Sequence, residues 1–492
     1  MNKDSQISKE EFANKNKVLI MACGMALLQT QYIFTREVGS TFFSTEIIAI
    51  FSTVIILIGI SVSYGIGYRL LPEVFKIWTV VNFVMCVFMP LSIRAIYIYY
   101  CNMHDTPQAY LIVGLWGIFI LGGYFAVFLP KFINDGVNFS KLYIFELIGS
   151  LTGLILILVL QKFELVLLSY NLALLVIFYL TISNLNFRIL ATGLVLVMMI
   201  FYPFANEAIL KKYYSAVYGL NYPSLIFSQF SPYYLVDVVS SNLGLSLFLD
   251  GVPYYENSVL TGFNYGLSFI PGSLKNPQHE SHKKALVVGS GSLSSAAYLK
   301  QLNYDVTVCE IDPVVLDAGL KFFKFKNHLK SGDFKTYIGD CRTYLNNLPA
   351  ESLDLVVMDV PAPYHIQTAM LHTTEFYNMV KSKLKNNGLL SLSLCGGSFK
   401  NHLSVAIAAS ASKTFPCFIA NDSHNVDMIF IYASKDPNIL DIPKLKSLLP
   451  DLNNLNHYTI LNQTEVLNKI KNAKPLTNSN LIPTLFLMRN VL

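Results

Sequence analysis

Charge is scarce in this chain. Only 14% of its 492 residues are charged, against about 25% in soluble domains, which excludes a single soluble globule. The scarcity is uneven. Between Val18 and Phe204, 15 charged residues occupy 187 positions, while the other 305 positions hold the remaining 52 of 67. Paired cysteines are missing too. The seven stand singly at 23, 86, 101, 309, 341, 395 and 417 with no C-x-x-C among them, so neither a zinc site nor a thioredoxin-like motif is supported and no metal is expected. Such scattered cysteines fit a reducing compartment or a bilayer. The net charge is only +5, with no Lys/Arg run and no basic–aromatic ladder, which argues against nucleic acid as a partner. What the chain does have is apolar and aromatic residue, 53% and 13%, and that excludes disorder.

A bilayer crossing needs about 20 mainly apolar residues. Seven runs qualify, at 18–35, 43–67, 75–99, 109–129, 142–161, 164–182 and 187–205. They predict an N-terminal tail (1–17) followed by a transmembrane domain of about seven helices (18–205), with the lipid bilayer as its partner. The first run is too long for a signal peptide, contains Gln29, Thr30 and Gln31, and has no small-residue cleavage site before the next run. Glu46 and Glu146 fall inside apolar runs, and Arg36–Glu37 closes the first. A charge in lipid is costly and marks a substrate path, unless it sits at the interface or in a helix–helix ion pair. Gly149-x-x-x-Gly153 reads as close helix packing.

The remaining residues follow soluble patterns. Residues 206–280 read as a small β-hairpin module, with strands at Leu225–Val239 and Leu243–Leu249 and a turn at Asp250–Gly251. Over 281–440, strands (Lys284–Gly289, Val306–Ile311, Lys335–Ile338, Leu353–Asp359, Leu389–Leu394) alternate with helices, including 314–324 and 375–386. Alternation implies a parallel sheet covered on both faces, and strands without polar alternation agree. Residues 441–492 read as a short helical extension and a tail.

Candidate ligand residues fall at successive strand ends, where open α/β sheets bind their ligands. The first is Gly289-Ser290-Gly291-Ser292, small residues that allow close approach of a nucleotide-like group at a helix start. Glu310, with Ile311, is placed to accept two ribose hydroxyls. Asp340, with Cys341, is placed to accept from an adenine amino group. Asp359 opens Asp359-Val360-Pro361-Ala362-Pro363. Each has a structural alternative: a tight turn for the glycines, a capping network with Asp312 and Pro313 for Glu310, a turn for Asp340, and a carboxylate satisfied by loop amides for Asp359. The loop lacks the third glycine of G-x-G-x-x-G and suits an adenosylmethionine-type fold better than a dinucleotide fold. The expected fold class is therefore a polytopic α-helical membrane domain fused to a small β module and an α/β Rossmann-like adenosylmethionine-type domain.

These residues resemble the spermidine synthases, the polyamine aminopropyltransferases, and in particular their membrane-fused bacterial relatives. The soluble resemblance runs from Ser231 to about Leu487, through "SPYY", "LFLDGVPYYE", "ALVVGSGSLSS", "VCEIDPVVLDAG", "GDCRTYL" and "MDVPAP" with "LHTTEFY". In the apolar half, "LLQTQYIFTREVGSTFFSTE" and "YIFELIGSLTG" are similar to the first and fifth spans of the fused relatives. The resemblance implies adenosylmethionine or its decarboxylated form as donor, and Asp359 as the general base that takes a proton from an attacking amine.

The departures lie on the acceptor side. Ser292 stands where the polyamine enzymes carry an Asp that holds the aminopropyl group. Tyr254 replaces a Gln, Tyr265-Gly266-Leu267 replaces Y-H-E, and Ala362 replaces an Asp. Asn478 and Ser479 stand where the family has two acids near the C-terminus. A buried polyamine needs paired carboxylates, so spermidine formation from putrescine is disfavoured. Tyr254, Tyr265, His365 and His372 become the acceptor-pocket candidates, for an amine or a lipid-soluble acceptor. The expectation is a membrane-anchored transferase moving an aminopropyl or related alkyl group to an amine. The alternatives are a methyltransferase, or a catalytically silent nucleoside-binding sensor or transporter. A homodimer is left open.

Orientation sets two arguments against each other. With seven spans, Lys3, Lys9, Lys15 and Lys17 share a side with Arg69, Lys76, Lys131, Lys141 and Arg188, and the positive-inside rule puts that side in the cytoplasm. The donor requires a cytoplasmic C-terminal half. The donor argument carries more weight, so the expectation is a multi-pass protein of the inner (plasma) membrane with its soluble domain in the cytoplasm. Either the charge rule fails here or the span count is even.

Overall fold

A computed structural model describes residues 3–481, apart from 43–45, 104–105, 119, 121–123, 135–138, 257–260, 275–282, 325–326, 362, 364, 395–398, 424–427 and 450–457. The chain divides into two compact units, Met1–Leu225 and Ile226–Leu492.

The first unit is helical: α1 (Lys3–Phe42), α2 (Glu46–Gly67), α3 (Pro72–Met103), α4 (Thr106–Gly117), α5 (Phe128–Asn134), α6 (Phe139–Leu160), α7 (Phe163–Thr181) and α8 (Leu185–Tyr218). Six helices among the described residues are long and apolar enough to cross a membrane: α1, α2, α3, α6, α7 and α8. The run at 109–129 differs from expectation. It is no single helix but the 12-residue α4 and the start of the 7-residue α5, with bends and turns at 124–127. Its glycines weaken a continuous helix. Gly114 and Gly117 instead let α4 pack against α1 and α2: a Cβ at Gly117 would stand 2.6 Å from Phe34 and 2.8 Å from Ile55.

Contacts within this unit fix the direction of each helix. Gly149 faces Met21 and Gly153 faces Met25, so α6 runs parallel to α1. A Cβ at Gly149 would lie 1.9 Å from the Met21 carbonyl, so both glycines serve the close packing read from the sequence. Lys131 on α5 donates to the Leu70 carbonyl beyond α2 (3.2 Å). Helix α5 therefore lies at the end of the bundle where α2 finishes. The C-terminal part of α8 meets the end of α1, where the Tyr213 hydroxyl donates to the Thr41 carbonyl (3.0 Å). The chain thus leaves the bundle at the end opposite Asn14, while the helices long and apolar enough to cross a membrane number six among the described residues, an even count.

The charged residues of the apolar runs separate by role. Glu37 pairs with Arg94 of α3 at 3.2 Å, both fully buried, and Arg94 also donates to Ser40 and Asn206. This is the ion-pair alternative, tying α1, α3 and α8 together. Glu146 is buried on α6, and the Glu46 side chain lies outside the described residues.

Helix α8 continues 13 residues past the expected boundary at 205. Hydropathy fell there, but Glu207 and Lys211 form an i,i+4 pair (2.6 Å) that favours helix. The helix stops only at Gly219, whose φ of 63° is left-handed.

The second unit holds two sheets. Strands β1 (Ser224–Phe230), β2 (Leu235–Ser241), β3 (Gly244–Leu249) and β4 (Val252–Glu256) form a four-stranded sheet in that order. The expected strand 225–239 is two strands, divided at Ser231, whose hydroxyl accepts the Tyr233 and Tyr234 amides. Asp250 and Gly251 turn β3 into β4 with φ of 48° and 74°, as their types allow. The remainder of the expected β module is helical, over Thr261–Leu274. Val236, Val238, Leu247 and Leu249 pack on Val315, Ala318 and Phe323 of the helical segment 313–323, which fixes the module against that segment.

The larger sheet contains β5 (Lys283–Val288), β6 (Tyr304–Glu310), β7 (Phe334–Ile338), β8 (Leu353–Met358), β9 (Leu384–Leu394), β10 (Cys417–Ser423), β11 (Met428–Ser434) and β12 (Tyr458–Leu461), ordered β12-β10-β11-β9-β8-β5-β6-β7. Strands β5 to β9 are parallel, while β10, β11 and β12 join antiparallel. The expected helical extension thus supplies an edge strand, β12, as well as helices Ile442–Leu448 and Gln463–Ile470. From β5 the chain winds first through β6 and β7, then returns to β8 on the other side. The topological switch point, where such sheets bind ligands, lies between the ends of β5 and β8.

Candidate active site

Gly289 ends β5 and Asp359 ends β8. The Asp359 amide donates to the Val288 carbonyl and the Gly289 amide to the Cys309 carbonyl, each at 2.8 Å. The strand ends are so close that a Cβ on Gly289 (φ 91°) would lie 1.9 Å from the Asp359 carbonyl oxygen. Gly291 has a different reason to be glycine. A Cβ there would lie 2.2 Å from the Tyr254 ring, so the missing side chain makes room for the tyrosine.

A cavity of about 230 Å³ opens at this point. Gly289, Gly291, Glu310, Ile311, Asp340, Cys341, Asp359 and Tyr254 line it, as the sequence reading grouped them. Ser290 and Ser292 do not. The Ser290 amide and hydroxyl both donate to one Glu310 oxygen (2.7 and 3.0 Å). The Ser292 hydroxyl bonds that of Ser294 (2.8 Å). These serines shape the loop.

Glu310 is fixed from both sides, its other oxygen accepting the Asp312 amide (2.9 Å). Burial pushes its carboxyl above the usual range, while those amides and the Ser290 hydroxyl pull it back. The capping-network alternative is therefore correct for the loop side of Glu310, and the residue still borders the cavity. Asp340 caps helix Cys341–Asn347 through the Arg342 amide (2.8 Å). The Arg342 guanidinium also grips it, from Nε at 3.2 Å and Nη2 at 2.9 Å.

Asp359 is 5% exposed. Burial raises its carboxyl to about 6, against the lowering effect of Ser295 and Tyr254. The Tyr254 hydroxyl donates to an Asp359 carboxylate oxygen (3.0 Å) and makes a short bond to its carbonyl. Burial and the neighbouring Asp359 keep the Tyr254 phenol protonated, well above its ordinary range. The outcome is a desolvated carboxylate poised near neutrality, the condition a general base needs.

The other acceptor candidates do not reach the cavity. The Tyr265 hydroxyl donates to the Leu448 carbonyl (2.8 Å), with its ring stacked on Phe269. His372 is buried, with Nδ1 2.8 Å from the Tyr377 hydroxyl, and burial lowers it to about 4. His365 does not line the cavity, and its ring lies 6.3 Å from that of Tyr234, which does. Sequence reasoning missed Arg342, Tyr233, Tyr234 and Gln367 as lining residues. Arg342 was detectable, because a basic residue two positions after a helix-capping Asp can fold back onto it. Gln367 carried no signal.

Residues 272–429 match the family described as the spermine/spermidine synthase domain. A polyamine aminopropyltransferase of Korarchaeum cryptofilum is 32% identical over 124 residues, 24% of this chain and 36% of that protein. Spermidine synthase 1 of Hyoscyamus niger is 27% identical over 183 residues, 35% of this chain and 55% of that protein. This chain therefore spans about a third to a half of the length of these relatives. The crystal structure of spermidine synthase from Thermotoga maritima aligns with a TM-score of 0.40 and 22% identity, covering 50% of this chain and 84% of that one. The segment 272–429 of the C-terminal unit is thus similar to the spermine/spermidine synthase domain.

Proposed function

We propose that the C-terminal unit transfers an aminopropyl or related alkyl group from decarboxylated adenosylmethionine, or adenosylmethionine itself, to an amine. The observation that carries this reading is Asp359, a buried carboxylate held near neutrality at the switch point, in one cavity with Glu310 and Asp340. Glu310, already oriented by the loop, would face the donor's ribose. The cavity ends of β6 and β7 would take its base. Asp359 would receive the proton released as the nitrogen–carbon bond forms. The helical unit would anchor the enzyme in a bilayer.

By-product analysis tests the chemistry. Detergent-purified protein, given either donor with an amine-containing extract, is expected to release methylthioadenosine above the level of an Asp359→Asn control. Adenosylhomocysteine instead would mean methyl transfer. Bound nucleoside with neither product would mean a silent sensor, a reading favoured by the Tyr254 phenol bonded to the base.

Location has its own test. A donor made in the cytoplasm requires the α8 end of the bundle to open there. Reporter fusions at the two termini are then expected on opposite sides of the inner membrane, the C-terminal one cytoplasmic. Both reporters on one side would contradict an exit from the bundle opposite Asn14. A cytoplasmic tail with an external C-terminus would mean that the positive-inside rule prevails.

A further inference from the structure

We propose that the acceptor is a primary monoamine with an apolar, uncharged body, and not a diamine or polyamine. The inference rests on the transferase reading and names its second substrate from the charges that face the cavity.

Three carboxylates line the cavity among the described residues: Glu310, Asp340 and Asp359. Two are committed. Glu310 accepts three hydrogen bonds from Ser290 and Asp312. Asp340 is gripped by Arg342. Only Asp359 remains for an amine, and its present polar partners are neutral hydroxyls, Tyr254 and Ser295. The rest of the wall contributes Tyr233, Val360, Pro361 and Leu371, and its one cation among the described residues is Arg342.

The reaction itself uses Asp359. The lone pair of a neutral amine attacks the carbon attached to the sulfonium. The nitrogen–carbon bond forms, the carbon–sulfur bond breaks, and its electron pair stays on sulfur, leaving neutral methylthioadenosine. The alkylated nitrogen then gives its extra proton to the Asp359 carboxylate, replacing the Tyr254 hydroxyl as its donor. A diamine brings a second ammonium at its far end. The ammonium of the donor's own arm already competes for Asp359, so among the described residues no lining carboxylate is left to pair with the diamine's second charge, and a buried unpaired ammonium is strongly disfavoured. An apolar amine body meets no such cost and packs on the Tyr254 ring, which Gly291 admits. Tyr254 is thus a specificity-determining residue as well as the partner of the base.

A matched pair of acceptors tests this. Pentylamine and 1,4-diaminobutane have the same heavy-atom length and differ by a methyl in place of an ammonium. Full-length protein in detergent receives decarboxylated adenosylmethionine and each amine in turn, with methylthioadenosine and alkylated amine quantified by mass spectrometry. The expected result is a kcat/KM for pentylamine higher by about 100-fold or more, the effect of one unpaired buried charge. Equal use of the two amines, or preference for the diamine, would overturn the inference and leave the transferase reading standing. Methylthioadenosine from neither amine would overturn both.

Discussion

An Asp359→Asn variant is expected to lose methylthioadenosine formation by about 10²–10⁴-fold and yet to melt at a higher temperature than the parent. The two effects share one cause. Burial raises the carboxyl from 3.8 to about 6. For an acid raised on folding, the native state binds the proton more tightly than the unfolded chain. Stability therefore falls as pH rises between those two values, and above pH 6 the full cost is present. That gap corresponds to about 3 kcal/mol at neutral pH, which the uncharged amide removes. Asn keeps the volume and one acceptor for the Tyr254 hydroxyl. Thermal melts at pH 7.5 and pH 4 check the sign, since the advantage of Asn should shrink at the lower pH. If the aspartate served only to satisfy loop amides, Asn would lower the melting temperature. Activity of the parent is expected to rise with pH through about 6 and then level off, as the base loses its proton.

The second large effect is at Gly289. Gly289→Ala is expected to abolish nucleoside binding and to destabilise the C-terminal unit by more than about 3 kcal/mol. The new Cβ would meet the Asp359 carbonyl at 1.9 Å. That atom is backbone, fixed by the β5–β8 pairing, and cannot turn aside. Two other glycines calibrate the loss. Gly332 has nearly the same φ, 89°, with no atom within 4 Å of the place a Cβ would occupy, so Gly332→Ala should show the conformational cost alone, about 1 kcal/mol. At Gly291 the obstacle is the Tyr254 ring, a side chain that can rotate. Gly291→Ala should therefore disturb the phenol–carboxylate contact more than the fold. Chemical denaturation of the three variants, with donor binding measured alongside, separates these contributions. A Gly289→Ala variant no less stable than Gly332→Ala would contradict the close approach.

The parts of the site legible in sequence were those set by strand ends. Val288, Glu310 and Met358 end largely buried strands, so these residues or the ones that follow them had to lie at the ligand edge. Gly289, Glu310, Asp340 and Asp359 were found in this way. Contacts across long separations were not legible. Tyr254 precedes Asp359 by 105 positions, and nothing local reveals that its hydroxyl meets that carboxylate. Tyr265 misled for the complementary reason. Its place in a family-like segment pointed to the cavity, but the segment folds as a helix that turns the hydroxyl to Leu448. Ser292 replaces a family acid, yet its hydroxyl stays within the loop. In the apolar unit, hydropathy located the runs because it reports apolar composition, whether a side chain packs on another helix or faces outward. It could not show that 109–129 breaks into two helices, nor that α8 outlasts its apolar stretch until Gly219 stops it.

The most direct test of the transferase account follows both halves of a labelled donor. Decarboxylated adenosylmethionine carrying carbon-13 in its aminopropyl arm is incubated with the full-length protein and pentylamine. The account predicts labelled aminopropyl-pentylamine and unlabelled methylthioadenosine in equal amounts, both lost in Asp359→Asn. Donor that stays bound and intact in the parent protein, with no label reaching an amine, would contradict it.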